Sequence, residues 1–564
     1  MKNIQKIFSL FLVIFFLTPT TSIRCDEIDD LENLSFDDLL ESSIVNNILE
    51  TTAFEFQRTK FKPEDTVDIL EDIGILDILK QNLYLRSNRL NYRSVIDLPM
   101  GMMDKDYCYI KRLFGMEFFF NKMDRARFTS ESDANTCGSD AICSYLALTD
   151  KDFLEALSKS TSKSEELAEA DFDFDPAEVF DLFKCGTVQE RKLGVMLYGR
   201  AGTEKWRFTY KIPFYYLERN LWITEPEQKK IEEQLGEADP EQQEQFQDQH
   251  AISDKLGIGD FRIGFDFRLT NHERSCSRIG GFATVPTGWA MIKGLKGQHF
   301  KPLIRSPETN LNDLIGYHLD AILSLGTGTE QEKAQAKQSL TDLSFQAIDH
   351  LNSILLEAPM GNNGHFGVGA VLRSMWRLDA LVPRPWAKNI WMKGRLTLEY
   401  LFPGTEMRFF AENPSPKLYD PEFIKQYPES ENALENMLFT EKEIVGKLFP
   451  YALECTVCPG FVFCWTSRWY HEREWWGIYL GSEYWMRSKE KFSDLQKPKF
   501  LEDRICVERA RAPFAFQSKW LGGLYFKINR SNRNLVLSLN GETSFWNRGI
   551  GGDYTVSFDL EFNF

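Results

Sequence analysis

The chain has 564 residues, and its 66 Lys and Arg against 83 Asp and Glu give a formal net charge of -17. A general nucleic-acid-binding protein would carry a basic surface, so we predict no nucleic-acid partner. Hydrophobic residues make up 43% of the chain, which is enough for a folded core. A mean hydropathy of -0.35 argues against a helical membrane protein but not against a β-barrel. The aromatic share is high at 14%.

The N-terminus predicts export. Lys2 and Lys6 precede an almost wholly apolar run from Ile7 to Leu17, and small or polar residues follow it. This three-part pattern is typical of a secretory signal peptide, and the apolar run is shorter than the roughly 20 residues of a membrane-spanning helix. We therefore predict a signal peptide over 1–22, with a buried N-terminal helix as the less favoured interpretation.

An acidic segment over 23–88 follows the signal peptide. Phe36 to Leu40 and Ile69 to Leu79 mix acidic and apolar residues in a pattern that favours helices. We predict that this segment either lies in the periplasm or enters a barrel lumen as a plug.

Export makes disulfide bonds available. Cys137 and Cys143 flank a loop-like stretch and have a spacing that could close a small ring. Cys455, Cys458 and Cys464 form a second group, for which structural cystines or buried thiols are favoured over a metal site. The sequence leaves the pairing open.

The C-terminal strand is the clearest element of the chain. Polar residues separate its apolar positions without an interruption, so one face meets an apolar medium and the other a polar one. The strand is longer than an average globular strand and matches the roughly 9–11 residues with which a tilted strand crosses a membrane. The apolar positions are Tyr554, Val556, Phe558, Leu560, Phe562 and Phe564.

The same alternation recurs along the chain, and Trp and Tyr crowd the strand ends as they do at a membrane interface. A soluble β-sandwich also alternates, so the argument rests on strand length, aromatic ends and the terminal strand together. The predicted strands lie near 114–121, 190–200, 204–216, 257–269, 279–289, 364–378, 390–402, 405–412, 461–471, 475–486, 514–528, 534–545 and 553–564.

In this architecture the chain resembles bacterial outer-membrane β-barrel proteins, whose closing strand ends in Phe and serves as an assembly signal. Tyr554, Phe558, Leu560, Phe562 and Phe564 match that signal. The resemblance implies location in the outer membrane of a Gram-negative-type bacterium, with outer-membrane lipid and the barrel-assembly machinery as partners. It reaches no particular transporter family.

The strand count sets the predicted fold class. Bacterial barrels have an even number of strands, with short periplasmic turns and longer outer loops. Counts from the two chain ends disagree between 270 and 363, so we predict a missing strand there and fourteen in all, or twelve if 279–289 is not a strand. The fold class is an all-β transmembrane antiparallel barrel with helical insertions. It occupies 89–564, with long loops at 122–189, 217–256 and 413–460 and a helical insertion near 290–363.

The polar faces of the predicted strands carry more basic than acidic residues, although the whole chain is acidic. Charged rings set the ion preference of pores, so we predict a water-filled or gated pore with a mild anion preference. The alternative, in which the charges pair across strands and fill the barrel, stays open. The candidate lumen residues are Arg207, Lys211, Asp260, Arg262, Asp266, Arg268, Lys393, Arg395 and Glu399.

The predicted function is an outer-membrane channel for small solutes. The sequence lacks the phosphate-binding, zinc-protease and serine-hydrolase motifs, so we predict no enzyme activity, cofactor or metal. One alternative is a structural or surface-display barrel that binds partners through its long loops. A less favoured one is a secreted soluble β-protein that binds carbohydrate.

Overall fold

The computed structural model describes most of the region after residue 92. Every described residue belongs to the unit Asn82–Phe564, one of the two compact units into which the chain divides. The predicted signal peptide, the acidic segment 23–88, the Cys137–Cys143 disulfide and Phe564 lie outside the described residues. These are 93–98, 112–126, 187–222, 229, 251–297, 329, 331, 334–335, 350, 352–380, 382–410, 450–495, 505, 507–530 and 533–563.

The described residues are dominated by long β-strands. They are β1 (Leu113–Met123), β2 (Thr187–Gly202), β3 (Trp206–Trp222), β4 (Ile252–Ile258), β5 (Phe261–His272), β6 (Ser275–Val285), β7 (Trp289–Lys293), β8 (Gly367–Arg377), β9 (Ile390–Leu401), β10 (Gly404–Phe410), β11 (Tyr451–Cys458), β12 (Gly460–Glu472), β13 (Trp476–Arg487), β14 (Lys491–Ser493), β15 (Ala515–Arg530), β16 (Arg533–Arg548) and β17 (Asp553–Asn563).

Helical structure is sparse in the same residues. It includes α1 (Val507–Ala510), a helical turn over 352–355 and the short 3-10 helices Val95–Asp97, Leu378–Ala380 and Pro385–Asn389, together with the single helical residues or pairs 229, 331, 334–335 and 350. Within the described part of the chain, no helix is both long and apolar enough to cross a bilayer. The predicted insertion near 290–363 is described only in part.

The strands form an antiparallel barrel. β1 pairs with both β2 and β17, and β2 pairs with β3, so that twelve strands of a 14-stranded sheet close on themselves. The predicted fold class is therefore confirmed, with fourteen strands in the sheet and twelve in the closed wall. The remaining two strands, β4 and β7, extend the sheet beyond the closed wall. The first half of β3 pairs with β5 and its second half pairs with β4, which in turn pairs with β7.

One predicted barrel strand is not part of the barrel. The segment 405–412 falls largely on β10, which belongs to a separate three-stranded sheet with β11 and β14. The alternative in which 279–289 is not a strand is wrong, because most of this segment lies on β6, a member of the closed wall. The conflict between the two strand counts therefore came from β10 and not from the window 270–363.

The two ends of the barrel differ in their connections. Short connections at 203–205, 273–274 and 473–475 lie at one end, which we call the turn end. Most of the longer connections leave the opposite, loop end, with 378–389 at the turn end and the short 549–552 at the loop end as exceptions. The sheet of β10, β11 and β14 follows directly from the strands that reach the loop end. This asymmetry is typical of outer-membrane barrels, whose short turns face the periplasm.

The outer face of the barrel is apolar and exposed, and the inner face is polar and buried. Along β17, Thr555, Ser557 and Asp559 are buried, whereas Val556 and Phe558 between them are exposed. A soluble protein would bury the apolar parity instead, so this inversion indicates that the wall faces lipid.

A charge on this outer face is expected to destabilise the barrel. Phe558 is 43% exposed and lies in one row with Phe118 and Leu539 at the middle of the wall. We expect Phe558→Arg to lower the free energy of unfolding in lipid vesicles by about 2–4 kcal/mol, because the guanidinium would lie near the bilayer midplane.

The matched control is Leu295→Arg, at an exposed side chain that follows β7 beyond the closed wall. Denaturant titration in vesicles should show little change for this variant. Equal losses for the two variants would contradict the placement of Phe558 against lipid.

Candidate functional site: the barrel lumen

A short segment of chain from before β1 lies inside the barrel. Val95 and Leu98 pack against inward-facing Phe119, Met196 and Tyr215, which belong to three neighbouring strands of the wall. Their burial is nearly complete, at 1% exposure for Val95 and 2% for Leu98. We call residues 93–98 the lumen segment.

Arg93 ties the lumen segment to the wall on the side of β13 and β15. Its Nη2 lies 2.5 Å from the Glu483 carboxylate, its Nη1 donates a hydrogen bond to Gln517 at 3.5 Å, and its guanidinium lies 5.7 Å from the centroid of the Trp485 ring. Burial alone would lower the pKa of Arg93, but the Glu483 carboxylate and its neighbours raise it above its ordinary value. Arg93 is therefore held as a cation in the lumen.

Asp97 ties the same segment to the opposite wall. Its carboxylate lies 2.7 Å from Nη2 of Arg262 on β5, and that same nitrogen lies 2.7 Å from Glu399 on β9. Lys192 on β2 adds a third contact by donating a hydrogen bond to the Arg93 carbonyl at 3.1 Å. The lumen segment is thus bridged across the barrel by charged side chains.

Buried charges also pair within the wall beside the lumen segment. Lys519 has no exposed surface, and its Nζ lies 2.6 Å from Asp553 and 3.1 Å from Glu542. Nearer the loop end, Glu190 is paired with Lys192 at 2.6 Å and with Arg219 at 2.7 Å. On these sides of the barrel the charges fill the interior, as in the alternative left open by the sequence.

The structure places the sequence-predicted lumen residues in different settings. Arg262 and Glu399 form the pair just described, Lys211 is buried near them, and Arg207 lies opposite Asp266 in the β3–β5 register. Lys393 lies 4.2 Å from the centroid of the Tyr470 ring, and Arg395 lines a cavity in the inner wall.

Two predicted lumen charges lie at the ends of the barrel. Asp260 occupies the junction between β4 and β5, where its carboxylate accepts hydrogen bonds from the backbone N–H groups of Gly288 and Asn362. Arg268 lies near the turn end, and its Nη1 lies 3.3 Å from Glu204. Asp260 thus has a local structural role.

Sequence reasoning missed Arg93 and Asp97. They lie outside any alternating strand, so the periodicity that marks inward-facing residues does not reach them. Periodicity did mark Arg262 and Glu399 as inward-facing, but pairing across the lumen depends on which strands become neighbours. No sequence signal singled out the lumen segment.

The three-stranded sheet at the loop end holds its own charge network. Arg408 lies 2.8 Å from Glu406 and 3.3 Å from Glu490, and His365 contacts Glu406 through Nε2 at 2.6 Å. Cys455 packs in the small core beside it, and burial raises the pKa of this thiol to about 12.

The three clustered cysteines are thiols in this structure. Cys455, Cys458 and Cys464 are all free thiols, and no group of metal-ligating side chains occurs among the residues that the structure describes. Of the alternatives that the sequence left open for them, buried thiols fit Cys455, whose exposure is 1%.

A closed antiparallel wall with an apolar outer face and a charged interior defines a transmembrane β-barrel of the outer-membrane type, as the resemblance of the terminal strand implied. Several solved structures are similar to this chain. The COG4313 outer membrane channel from Pseudomonas putida F1 has a TM-score of 0.36 and 6% identity over 82% of this chain and 100% of that one.

Two further structures illustrate the range of the similarity. The CymD monoaromatic hydrocarbon channel has a TM-score of 0.25 and 7% identity over 81% of this chain and 89% of that one. The translocator domain of the autotransporter NalP from Neisseria meningitidis has a TM-score of 0.27 and 6% identity over 89% of this chain and 98% of that one. At these TM-scores the likeness carries no argument about function. No protein-family model and no curated protein matches the sequence.

Proposed function

We propose that the protein is an outer-membrane channel for small solutes, closed in the described conformation by the lumen segment. The observation that carries this proposal is the pair of ionic bridges, Arg93 to Glu483 and Asp97 to Arg262, by which the lumen segment spans the barrel interior. Because the segment is held to the wall through charged side chains, removing those charges should release it, which supports a removable obstruction.

The surroundings of the proposed channel follow from the same architecture. The exposed apolar face supports outer-membrane lipid as a partner, and the alternating terminal strand from Tyr554 to Phe562 supports recognition by the barrel-assembly machinery. Export by the predicted signal peptide would deliver the chain to that membrane.

We further propose that the channel prefers anions. Arg278, Arg373 and Arg395 occupy paired positions on three neighbouring strands, on the inward parity of each, and Lys211 lies on the same side of the barrel. A one-sided concentration of positive charge in a pore lowers the free energy of a permeating anion.

Ion selectivity provides the test of this proposal. In planar bilayers with a KCl gradient, we expect a reversal potential of the sign that chloride permeation gives, and Arg395→Glu should move it towards the potassium value. Arg274→Glu is the matched control, because Arg274 is over half exposed at the turn end. A cation-selective wild type, or no conductance by the folded protein even after the anchors Arg93 and Asp97 are replaced, would contradict the proposed function.

A further inference from the structure

A row of arginines crosses the inner wall of the barrel. Arg278 on β6 lies directly opposite Arg373 on β8, which in turn lies directly opposite Arg395 on β9. Like charges at directly opposed positions destabilise a sheet unless a counter-charge lies between them. The row therefore needs negative charge close to it.

Asp266 on β5 supplies part of that charge. Its Oδ1 accepts a hydrogen bond from Nε of Arg278, and its Oδ2 accepts one from Nη1 of Arg373. Arg278 also donates to the Glu204 carbonyl at 3.0 Å. Both oxygens of this carboxylate are thus already engaged by members of the row.

Arg207 on β3 adds a further cation beside the same carboxylate. Arg207 lies opposite Asp266 in the sheet and is 1% exposed. The positive charges of Arg200, Arg278 and Arg373 act on it unfavourably. Its Nε and Nη1 are buried and have no hydrogen-bond partner among the described residues. Two buried donors of one guanidinium call for an acceptor such as water or an anion.

A cavity lies next to these groups. It is a small, partly open cavity lined by Thr209, Lys211, Asp266, Arg373 and Arg395, among others. Gly264 helps to keep it open, because a Cβ at that position would lie 2.8 Å from Oγ1 of Thr209. Its lining includes four cations, Lys211, Arg262, Arg373 and Arg395, and Arg207 is the next inward residue along β3 from Thr209.

We propose that this cavity and Arg207 form a binding site for a small oxyanion of the phosphate type. Two adjacent N–H groups of a guanidinium match two oxygens of a tetrahedral oxyanion, and the surrounding arginines supply the charge that a dianion requires. The ion would satisfy the buried donors of Arg207 and offset the repulsion along the row. The binding itself is independent of conduction, whereas a role in selecting permeating solutes rests on the proposed channel function.

The test is equilibrium dialysis of the detergent-solubilised full chain against radiolabelled inorganic phosphate. We expect saturable binding at one site per chain that an equal concentration of chloride does not displace. Arg207→Gln should weaken it by about tenfold or more, since it removes a charge-assisted bidentate contact. Arg207→Lys should bind with intermediate affinity because it keeps the charge but loses the planar fork.

Arg274→Gln serves as the control, because this exposed turn-end arginine lies outside the cavity. Heat-modifiable electrophoretic migration shows that each variant is folded. Absence of saturable phosphate binding by the folded wild type, displacement by chloride, or unchanged binding by Arg207→Gln would overturn the site. Phosphate binding by a protein that does not conduct would refute the channel and leave the site standing.

Discussion

Removing the charged anchors of the lumen segment is expected to open the barrel. The double variant Arg93→Ala with Asp97→Asn eliminates the ion pairs to Glu483 and Arg262, which bridge opposite walls at 2.5 and 2.7 Å. Loss of one partner of a buried charge pair costs about 2–5 kcal/mol, so even the lower figure corresponds to a roughly 30-fold shift in the balance between closed and open states. We therefore expect the open probability in planar bilayers to rise by about that factor.

A charge exchange distinguishes this effect from general damage to the fold. Arg93→Glu alone should open the channel, and Arg93→Glu combined with Glu483→Arg should restore most of the closed state. Lys489→Ala is a neutral control, since Lys489 and its partner Glu508 are both more than half exposed at the loop end. Unchanged conductance of the folded double variant would show that the lumen segment does not obstruct the pathway.

The second large effect is expected at Lys519. This side chain has no exposed surface and pairs with Asp553 and Glu542 at 2.6 and 3.1 Å. Lys519→Met leaves two buried carboxylates without their cation, and breaking a buried pair in this way costs about 3–5 kcal/mol. Denaturant unfolding in lipid vesicles, followed by tryptophan fluorescence, should show this loss in the free energy of unfolding.

A matched surface lysine and a compensating variant complete the experiment. Lys489→Met removes one partner of an exposed pair, which is worth less than about 1 kcal/mol. Lys519→Met combined with Asp553→Asn should recover part of the lost stability, because one uncompensated charge is removed as well. A loss at Lys519 no greater than that at Lys489 would contradict the buried network.

The sequence predicted the barrel because alternation is a local property. In β17 the polar residues face the lumen and the apolar residues between them face outwards, so the alternation in the sequence matches the alternation in burial. The same rule failed at β10, where Arg408 and Phe409 alternate as they would in a barrel strand. There Phe409 and Phe410 are both buried, and Phe410, on the same face of the strand as Arg408, packs with Leu453 and Cys455 in the core of a small sheet. Periodicity alone does not distinguish such a strand from one that faces lipid.

The candidate site was less accessible from the sequence, because its geometry depends on contacts between distant parts of the chain. Parity placed Arg262 on the inner face, but its partners Asp97 and Glu399 come from the lumen segment and from β9. Likewise, Arg278, Arg373 and Arg395 form a row only through the pairing of β6, β8 and β9. Strand register brings these charges together, and register is a property of the whole sheet.

Membrane fractionation with detergent extraction tests the central claim, that the chain forms a transmembrane barrel, most directly. The protein should sediment with outer membranes, resist extraction by alkaline carbonate and urea, and dissolve in detergent as a species whose electrophoretic migration changes on heating. These properties follow from a closed wall with an apolar exterior such as the row of Phe118, Phe558 and Leu539. Recovery of the folded protein in the soluble periplasmic fraction would contradict the account.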